Sequence, residues 1–328
     1  MTITKNTENI LFRVGNGGFG KTIAATAVAR AIKEQFPKCR LYVQSNYGEC
    51  FKGLPFVDRF YPQVPAPYFR DLVAECEVLE AEPYIDLAFR KGREHLIDTW
   101  CRRIGVKPPA EKRGTIVLDD SEKAAAESAL ASYKIDRPLV AFQPFGGVSF
   151  HDPSKGLDPF LKFQARHLSV EQAQEIVDLL VKSGIIVLQI SLPTEPRLKN
   201  CLTLGDQVIP PRVLFALLDR CTSIVAIDSF CVHAWAALGK KDGVFLWGYS
   251  SPHQYGYSGN NNMTLSGACD TPHCNRPETH LSDVDGSGQP WKCSHGNACM
   301  KFDLKTVTDA AIRFCFKGFP TMDSELKT

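Results

Sequence analysis

The run Gly15-Asn16-Gly17-Gly18-Phe19-Gly20-Lys21-Thr22 fits the spacing G-x-x-x-x-G-K-[ST]. Glycines so placed let backbone N–H groups close on an anion, and the dipole of a following helix adds positive potential. In a P-loop ATPase Lys21 would hold the β- and γ-phosphates and Thr22 would ligate Mg²⁺. Asp119, ending the apolar run Thr115-Ile116-Val117-Leu118, would supply the Walker-B acid. The same glycines would equally serve a tight turn between a strand and a helix. A second group is Cys269, Cys274, Cys293 and Cys299, four of the chain's 12 cysteines. Paired thiols at short spacing suit a tetrahedral Cys₄ site for Zn²⁺, or for Fe with the same ligands. A third is Asp228-Ser229-Phe230. Asp228 ends an apolar strand, and the free N–H groups of the helix beginning there suit a pyrophosphate.

Alternating strands and helices must position these residues. The pattern predicts a strand at 10–14, the glycine loop, a helix over 22–36, strands at 41–43 and 56–61, a less regular stretch over 62–83, a helix over 89–104, a strand at 115–118 and a helix over 121–133. The same alternation restarts after Asp136-Arg137-Pro138. It gives strands at 139–143, 185–190, 223–227 and 244–247 and helices over 170–182, 211–218 and 231–238. Residues 250–302 read as loop, and 304–316 as a last amphipathic helix. The expected division is 1–137, 138–303 with a Cys-rich loop at 266–300, and a C-terminal helix in 304–328 that could pack back on the first domain.

A chain of 328 residues, 44% hydrophobic and 23% charged, is neither a small binding module nor a disordered tract. Its net charge of +2 leaves any nucleic-acid affinity to local patches. Twelve cysteines are too few for a disulfide scaffold of this length. No run approaches a membrane span, and the start MTITKNTENI lacks the basic and apolar regions of a secretory signal. The expected compartment is cytoplasmic, the host's if a phage encodes the chain, with reduced thiols.

Several of these segments resemble the ADP-heptose:lipopolysaccharide heptosyltransferase family. Ile227-Asp228-Ser229-Phe230-Cys231-Val232-His233, then Ala236-Ala237-Leu238-Gly239-Lys240, is similar to the family's strand ending in D-S-G-x-x-H and its helix A-A-A-L-G-K. Trp247-Gly248 and Ser250-Ser251-Pro252 match the next strand end and loop, Pro55-Phe56-Val57-Asp58 matches P-x-V-D, and Arg166 matches a basic residue ahead of a helix. The resemblance spans most of 9–255. It implies an α/β, GT-B fold, two Rossmann-like domains with a cleft between them, acceptor on the first and nucleotide-sugar donor on the second. It also implies inverting, metal-independent transfer, with Gly146, Gly147, Arg166, Asp228, Ser229, Phe230 and His233 on the donor and Gly17, Gly18, Phe19 and Gly20 in an acceptor-side loop. The four-cysteine cluster is similar to the iron-binding motif of autotransporter heptosyltransferases, at different spacings.

Two positions depart from the family. Lys21 stands where the family has its proposed general base, an Asp, so the base must lie elsewhere, with Glu80 and Glu82 ranked together with Asp71, Glu75 and Glu77. Phe230 replaces a Gly where backbone meets phosphate, which requires its ring to point away. Eight basic residues in 90–113 would, if clustered, favour an anionic acceptor: a glycan, a protein, or a hydroxymethylated base in DNA read by Tyr61, Tyr68, Phe69 and Tyr84. A P-loop ATPase and a non-catalytic nucleotide-sugar-binding relative are the competing readings.

Overall fold

The computed structural model describes residues 7–15, 17–63, 69–146, 166–204, 208–265, 269, 273–274, 293 and 295–317. Two parallel sheets carry the molecule. The first has the order β3-β2-β1-β4, from β1 (Asn9–Arg13), β2 (Arg40–Gln44), β3 (Arg59–Tyr61) and β4 (Glu77–Glu80). The second has the order β6-β5-β7-β8-β9, from β5 (Leu139–Gln143), β6 (Ile186–Gln189), β7 (Ser223–Ile227), β8 (Val244–Trp247) and β9 (Asn261–Thr264). Every residue of β5, β6, β7 and β8 is buried, as strands covered on both faces require. This is the two-part α/β architecture expected from the alternation.

The helices of the first half are α1 (Phe19–Gln35), α2 (Phe69–Ala74), α3 (Leu87–Arg90), α4 (Leu96–Arg103) and α5 (Asp120–Leu130). Those of the second are α6 (Val170–Lys182), α7 (Pro211–Arg220), α8 (Phe230–Ala237), α9 (Pro252–Tyr255) and α10 (Leu304–Cys315). Helix α6 opens with the capping box that Ser169 and Gln172 predict, the N–H of Gln172 donating to the Ser169 hydroxyl at 3.2 Å. The helix read over 89–104 is broken into α3 and α4 by a turn at Gly92, whose φ of +69° suits glycine.

Four expectations are corrected. Residues 115–118 are extended but join no sheet: the N–H of Thr115 donates to Thr26 Oγ1 (2.8 Å) and that of Ile116 to the Ala237 carbonyl (3.1 Å), threading the segment between α1 and α8. The irregular stretch contains α2 and β4, an edge strand with only Leu79 buried and hence no apolar run to reveal it. The stretch after Tyr249 contains α9 and β9, whose sequence Asn261-Asn262-Met263-Thr264 likewise lacks a strand pattern. Helix α10 packs on α6, β7 and β8, burying Val307, Ala310 and Ala311 with Phe142 and Val177, and not on the first half.

The two halves share one core. Ile10, Phe12 and Ile23 belong to the same apolar cluster as Phe215, Trp235 and Tyr255. Helix α5, counted with the first half by its position before residue 137, lies on α7, where Arg212 pairs with Glu122 at 2.7 Å.

Candidate active site

Helices α1 and α8 lie side by side and run in the same direction. A Cβ on Gly20, at the start of α1, would sit 3.2 Å from the Phe230 Cα and 2.8 Å from the His233 Cδ2, at the start of α8. Further along, a Cβ on Gly114 would sit 2.8 Å from Thr26 Oγ1 and 3.2 Å from the Ala237 Cβ, so these later residues are neighbours too. Because α1 follows β1 and α8 follows β7, both N-termini open at the carboxyl ends of the strands, the edge where α/β sheets bind ligands. Adjacent N-termini add their positive partial charges. Helix α1 has Gly18 at its N-cap and no side-chain cap, whereas in α8 Ser229 accepts the N–H of Cys231 at 3.2 Å.

Phe19 fastens this junction. Its ring stacks on Phe215 (5.2 Å between centroids, 9° between planes) and lies 5.2 Å from both Phe230 and Tyr47. Phe230 thus turns its ring toward Phe19 of the first half. His233 packs behind it, sharing a 2.7 Å hydrogen bond between its Nδ1 and the Tyr257 hydroxyl, and burial drives its pKa down to about 3. Its ring is neutral at pH 7 and engaged in packing against Gly20.

Lys21 does not face outward as a phosphate-binding lysine would. Its aliphatic stem folds over Gly17, where a Cβ would meet the lysine Cδ, and its side chain is only 1% exposed. The ammonium meets Glu82 Oε2 at 2.5 Å and lies 5.4 Å and 5.2 Å from the Tyr84 and Trp100 ring centroids. Thr22 is buried, sharing a 3.3 Å hydrogen bond with the Ser45 hydroxyl. Asp119 caps α5 and pairs with Lys52 at 2.8 Å. The three side chains an ATPase would turn toward Mg²⁺ and phosphates are therefore engaged elsewhere. Glu80 pairs with Arg13 at 3.0 Å on the rim of the sheet, and Asp71 and Glu75 are exposed.

On the second half, Asp228 is buried at the end of β7. Its Oδ2 accepts the Ser250 hydroxyl at 2.5 Å, and its carbonyl accepts the Arg166 Nε–H at 2.6 Å. Ser229 donates to the Gln143 side chain at the end of β5. The N–H of Gly146 donates to His167 Nδ1 at 3.0 Å, and burial, reinforced by Arg166, lowers the His167 pKa to about 4. Gly147 lies outside the described residues. Glu195 was missed: it follows β6, accepts the Leu192 N–H at 2.8 Å, and burial raises its pKa to about 7. Gln143, Ser250 and His167 were also missed as site residues. A polar residue closing an otherwise apolar strand, as Gln143 and Gln189 do, is the signal that could have drawn attention to this edge.

Cys269, Cys274, Cys293 and Cys299 are all half-buried free thiols. Burial raises the Cys299 pKa to about 11, with the Cys293, Cys269 and Cys274 thiols pushing the same way. Yet among the described residues no group of three or more His, Cys, Asp or Glu side chains is arranged to hold a metal ion. Cys₄ convergence is thus absent there, and most of the chain joining the two pairs lies outside the described residues. Of the other eight cysteines, Cys39, Cys50, Cys101, Cys221, Cys231 and Cys315 are buried, while Cys76 and Cys201 are half-buried.

The basic run over 90–113 is partly consumed by ion pairs: Arg102 and Arg103 with Asp86, Lys112 with Asp98, Arg113 with Glu111. Arg90, Lys91, Arg93 and Lys107 are exposed. The aromatic residues do not form one pocket. Tyr61 packs on Phe69 (5.4 Å), whereas Tyr84 packs on Phe89 (5.6 Å) and Tyr255 (6.4 Å), and Tyr68 lies outside the described residues. A cavity of about 520 Å³ lies elsewhere, between the start of α4 and residues 252–262.

Neither a protein-family model nor a curated protein sequence matches this chain. Solved structures do. A glycosyl transferase of family 9 from Veillonella parvula is similar at a TM-score of 0.67 and 13% identity, over 94% of this chain and 97% of that one. The iron-containing dodecameric heptosyltransferase TibC of enterotoxigenic E. coli, in complex with ADP-D-β-D-heptose, matches at 0.60 and 15% over 95% and 76%. E. coli ADP-heptose lipopolysaccharide heptosyltransferase II matches at 0.52 and 14% over 83% and 98%. The fold is therefore the two-domain Rossmann-like fold of these glycosyltransferases, the family that the sequence motifs resemble. Among the described residues no helix is long and apolar enough to cross a membrane.

Proposed function

We propose that the protein is a glycosyltransferase that moves a sugar from a nucleotide-diphosphate donor to a hydroxyl acceptor, with inversion and without a catalytic metal. The observation that carries this reading is the pair of parallel helix N-termini at the strand ends, beside Arg166 and Asp228. Such a cradle meets the charge that develops on a departing diphosphate without Mg²⁺. The donor half is 138–303 and the acceptor half 1–137. Gly146, Arg166, Ser229 and Phe230 serve the diphosphate, and Asp228 holds Ser250 and Arg166 beside it. An ADP-sugar is the first donor to try, since the TibC structure is a complex with ADP-D-β-D-heptose.

The acceptor hydroxyl is on a glycan, a protein or a modified DNA base, and the exposed Arg90, Lys91, Arg93 and Lys107 favour one carrying negative charge. A structural iron or zinc centre at the cysteine quartet is proposed on the likeness to iron-containing TibC alone, since the described side chains are not arranged to hold an ion. Metal content per chain of purified protein checks this; fewer than about 0.2 ions would refute it. The function itself is tested by incubating the protein with a panel of nucleotide-sugars and glycan, peptide and DNA acceptors. A sugar-sized mass increase on one acceptor is the expected outcome. ATP hydrolysis without sugar transfer would contradict it.

A further inference from the structure

Inverting transfer needs a base for the acceptor's proton, and three carboxylates, Asp228, Glu80 and Glu82, stand at or just beyond the carboxyl ends of strands. Asp228 is buried on the donor side, held by Ser250 and adjoining Arg166. Glu80 is on the rim, paired with Arg13. Glu82 lies just beyond β4, and β4 is a direct neighbour of β1, the strand that leads into α1. Its Oε2 receives the Lys21 ammonium at 2.5 Å, and its Oε1 accepts the Tyr84 N–H at 3.2 Å. Each carboxylate oxygen has two lone pairs, so both bonds leave one free to accept from a hydroxyl.

The partners differ in exposure in a telling way. The Lys21 side chain is 1% exposed and the Glu82 side chain 36%. The lysine is buried beside two aromatic rings, and the carboxylate it pairs with keeps an open side. An ammonium has no lone pair with which to take a proton. Gly17 is what lets the lysine lie this way, because any Cβ there would collide with its stem.

We propose that Glu82 is the general base and Lys21 the residue that positions it, the pair together doing what one carboxylate at position 21 would do. This rests on the glycosyl-transfer reading. In the step, the acceptor O–H proton passes to a Glu82 oxygen as the hydroxyl oxygen forms a bond to the anomeric carbon. The bond from that carbon to the diphosphate oxygen breaks, and its electron pair leaves with the diphosphate. Its charge is met by the two helix N-termini and Arg166.

The test uses ADP-heptose with water in place of the acceptor hydroxyl, reading ADP released by the 328-residue chain. Removing Glu82 alone would strand a buried ammonium, so the comparison is between Lys21→Met and Lys21→Met/Glu82→Gln, neither of which holds an unpaired buried charge. The double variant should turn over at least 100-fold more slowly than Lys21→Met, at a donor KM within threefold and an unchanged melting temperature. Lys21→Asp/Glu82→Gln, which returns a carboxylate from the other side of the pair, should recover at least tenfold over Lys21→Met/Glu82→Gln. If Lys21→Met and Lys21→Met/Glu82→Gln turn over within threefold of each other, Glu82 is not the base. A wild-type protein that neither binds nor turns over any nucleotide-sugar removes the glycosyl-transfer reading and this inference together.

Discussion

Glu195 shows how much one side chain can reveal about this edge of the second sheet. Burial raises its pKa from 4.5 to about 7, so the folded chain holds a proton that the unfolded chain releases. Stability is therefore unaffected by this group below about pH 4.5 and falls as pH rises through 7, by about 3 kcal/mol in full. Glu195→Gln keeps an oxygen for the Leu192 N–H and removes the titration. Urea unfolding should show the variant more stable than wild type at pH 8 by up to about 3 kcal/mol and equal to it at pH 4.5. A difference independent of pH would count against the buried-acid account. Lys21 teaches a related lesson. Its place in a G-x-x-x-x-G-K-[ST] run was legible, and so was the absence of an acid at 21. Its partner was not, because Lys21 and Glu82 meet only when β4 pairs with β1, and β4 carries a single buried residue.

At the level of elements, the packing of α1 against α8 is the feature on which the candidate site depends. Gly20 permits the close approach, since a Cβ there would lie 3.2 Å from backbone at Phe230. Gly20→Val should force the helices apart and cost about 1–3 kcal/mol, seen as a lower midpoint in urea, with nucleoside diphosphate binding weakened as the two N-termini separate. Unchanged stability would mean that the contact is looser than described. The strands and helices that frame this pair were readable because they are buried on both sides: Leu139–Gln143, Ser223–Ile227 and Val244–Trp247 form at the bounds their apolar runs predict. The elements that escaped, α2, β4, α9 and β9, are short and lie toward the sheet edges, where half-buried residues leave weak periodicity. Residues 115–118 misled in the opposite sense. An apolar segment threaded between two helices, with Ile116 buried and Val117 exposed, has the composition of a strand without a neighbouring strand to pair with.

Across the whole molecule, the halves are joined by more than a linker. Phe19 lies among Phe215 and Phe230, Arg212 bridges α7 to Glu122, and the Gln254 amide donates to the Phe89 carbonyl at 2.6 Å. Their junction brings an uncapped helix start from one half beside an Asp-Ser strand end from the other. Neither half alone assembles that cradle, which is why motif reading could place its parts on either side of a cleft without showing that they touch. On the proposed reading this junction binds a nucleoside diphosphate through helix N-termini and Arg166, not through a Mg²⁺-loaded P-loop. Calorimetric titration of ADP into wild-type protein and Arg166→Ala, each with and without EDTA, tests it most directly. The predicted result is binding by wild type that EDTA leaves unchanged and that Arg166→Ala weakens at least tenfold. Binding that requires Mg²⁺, or that Arg166→Ala leaves intact, would contradict it.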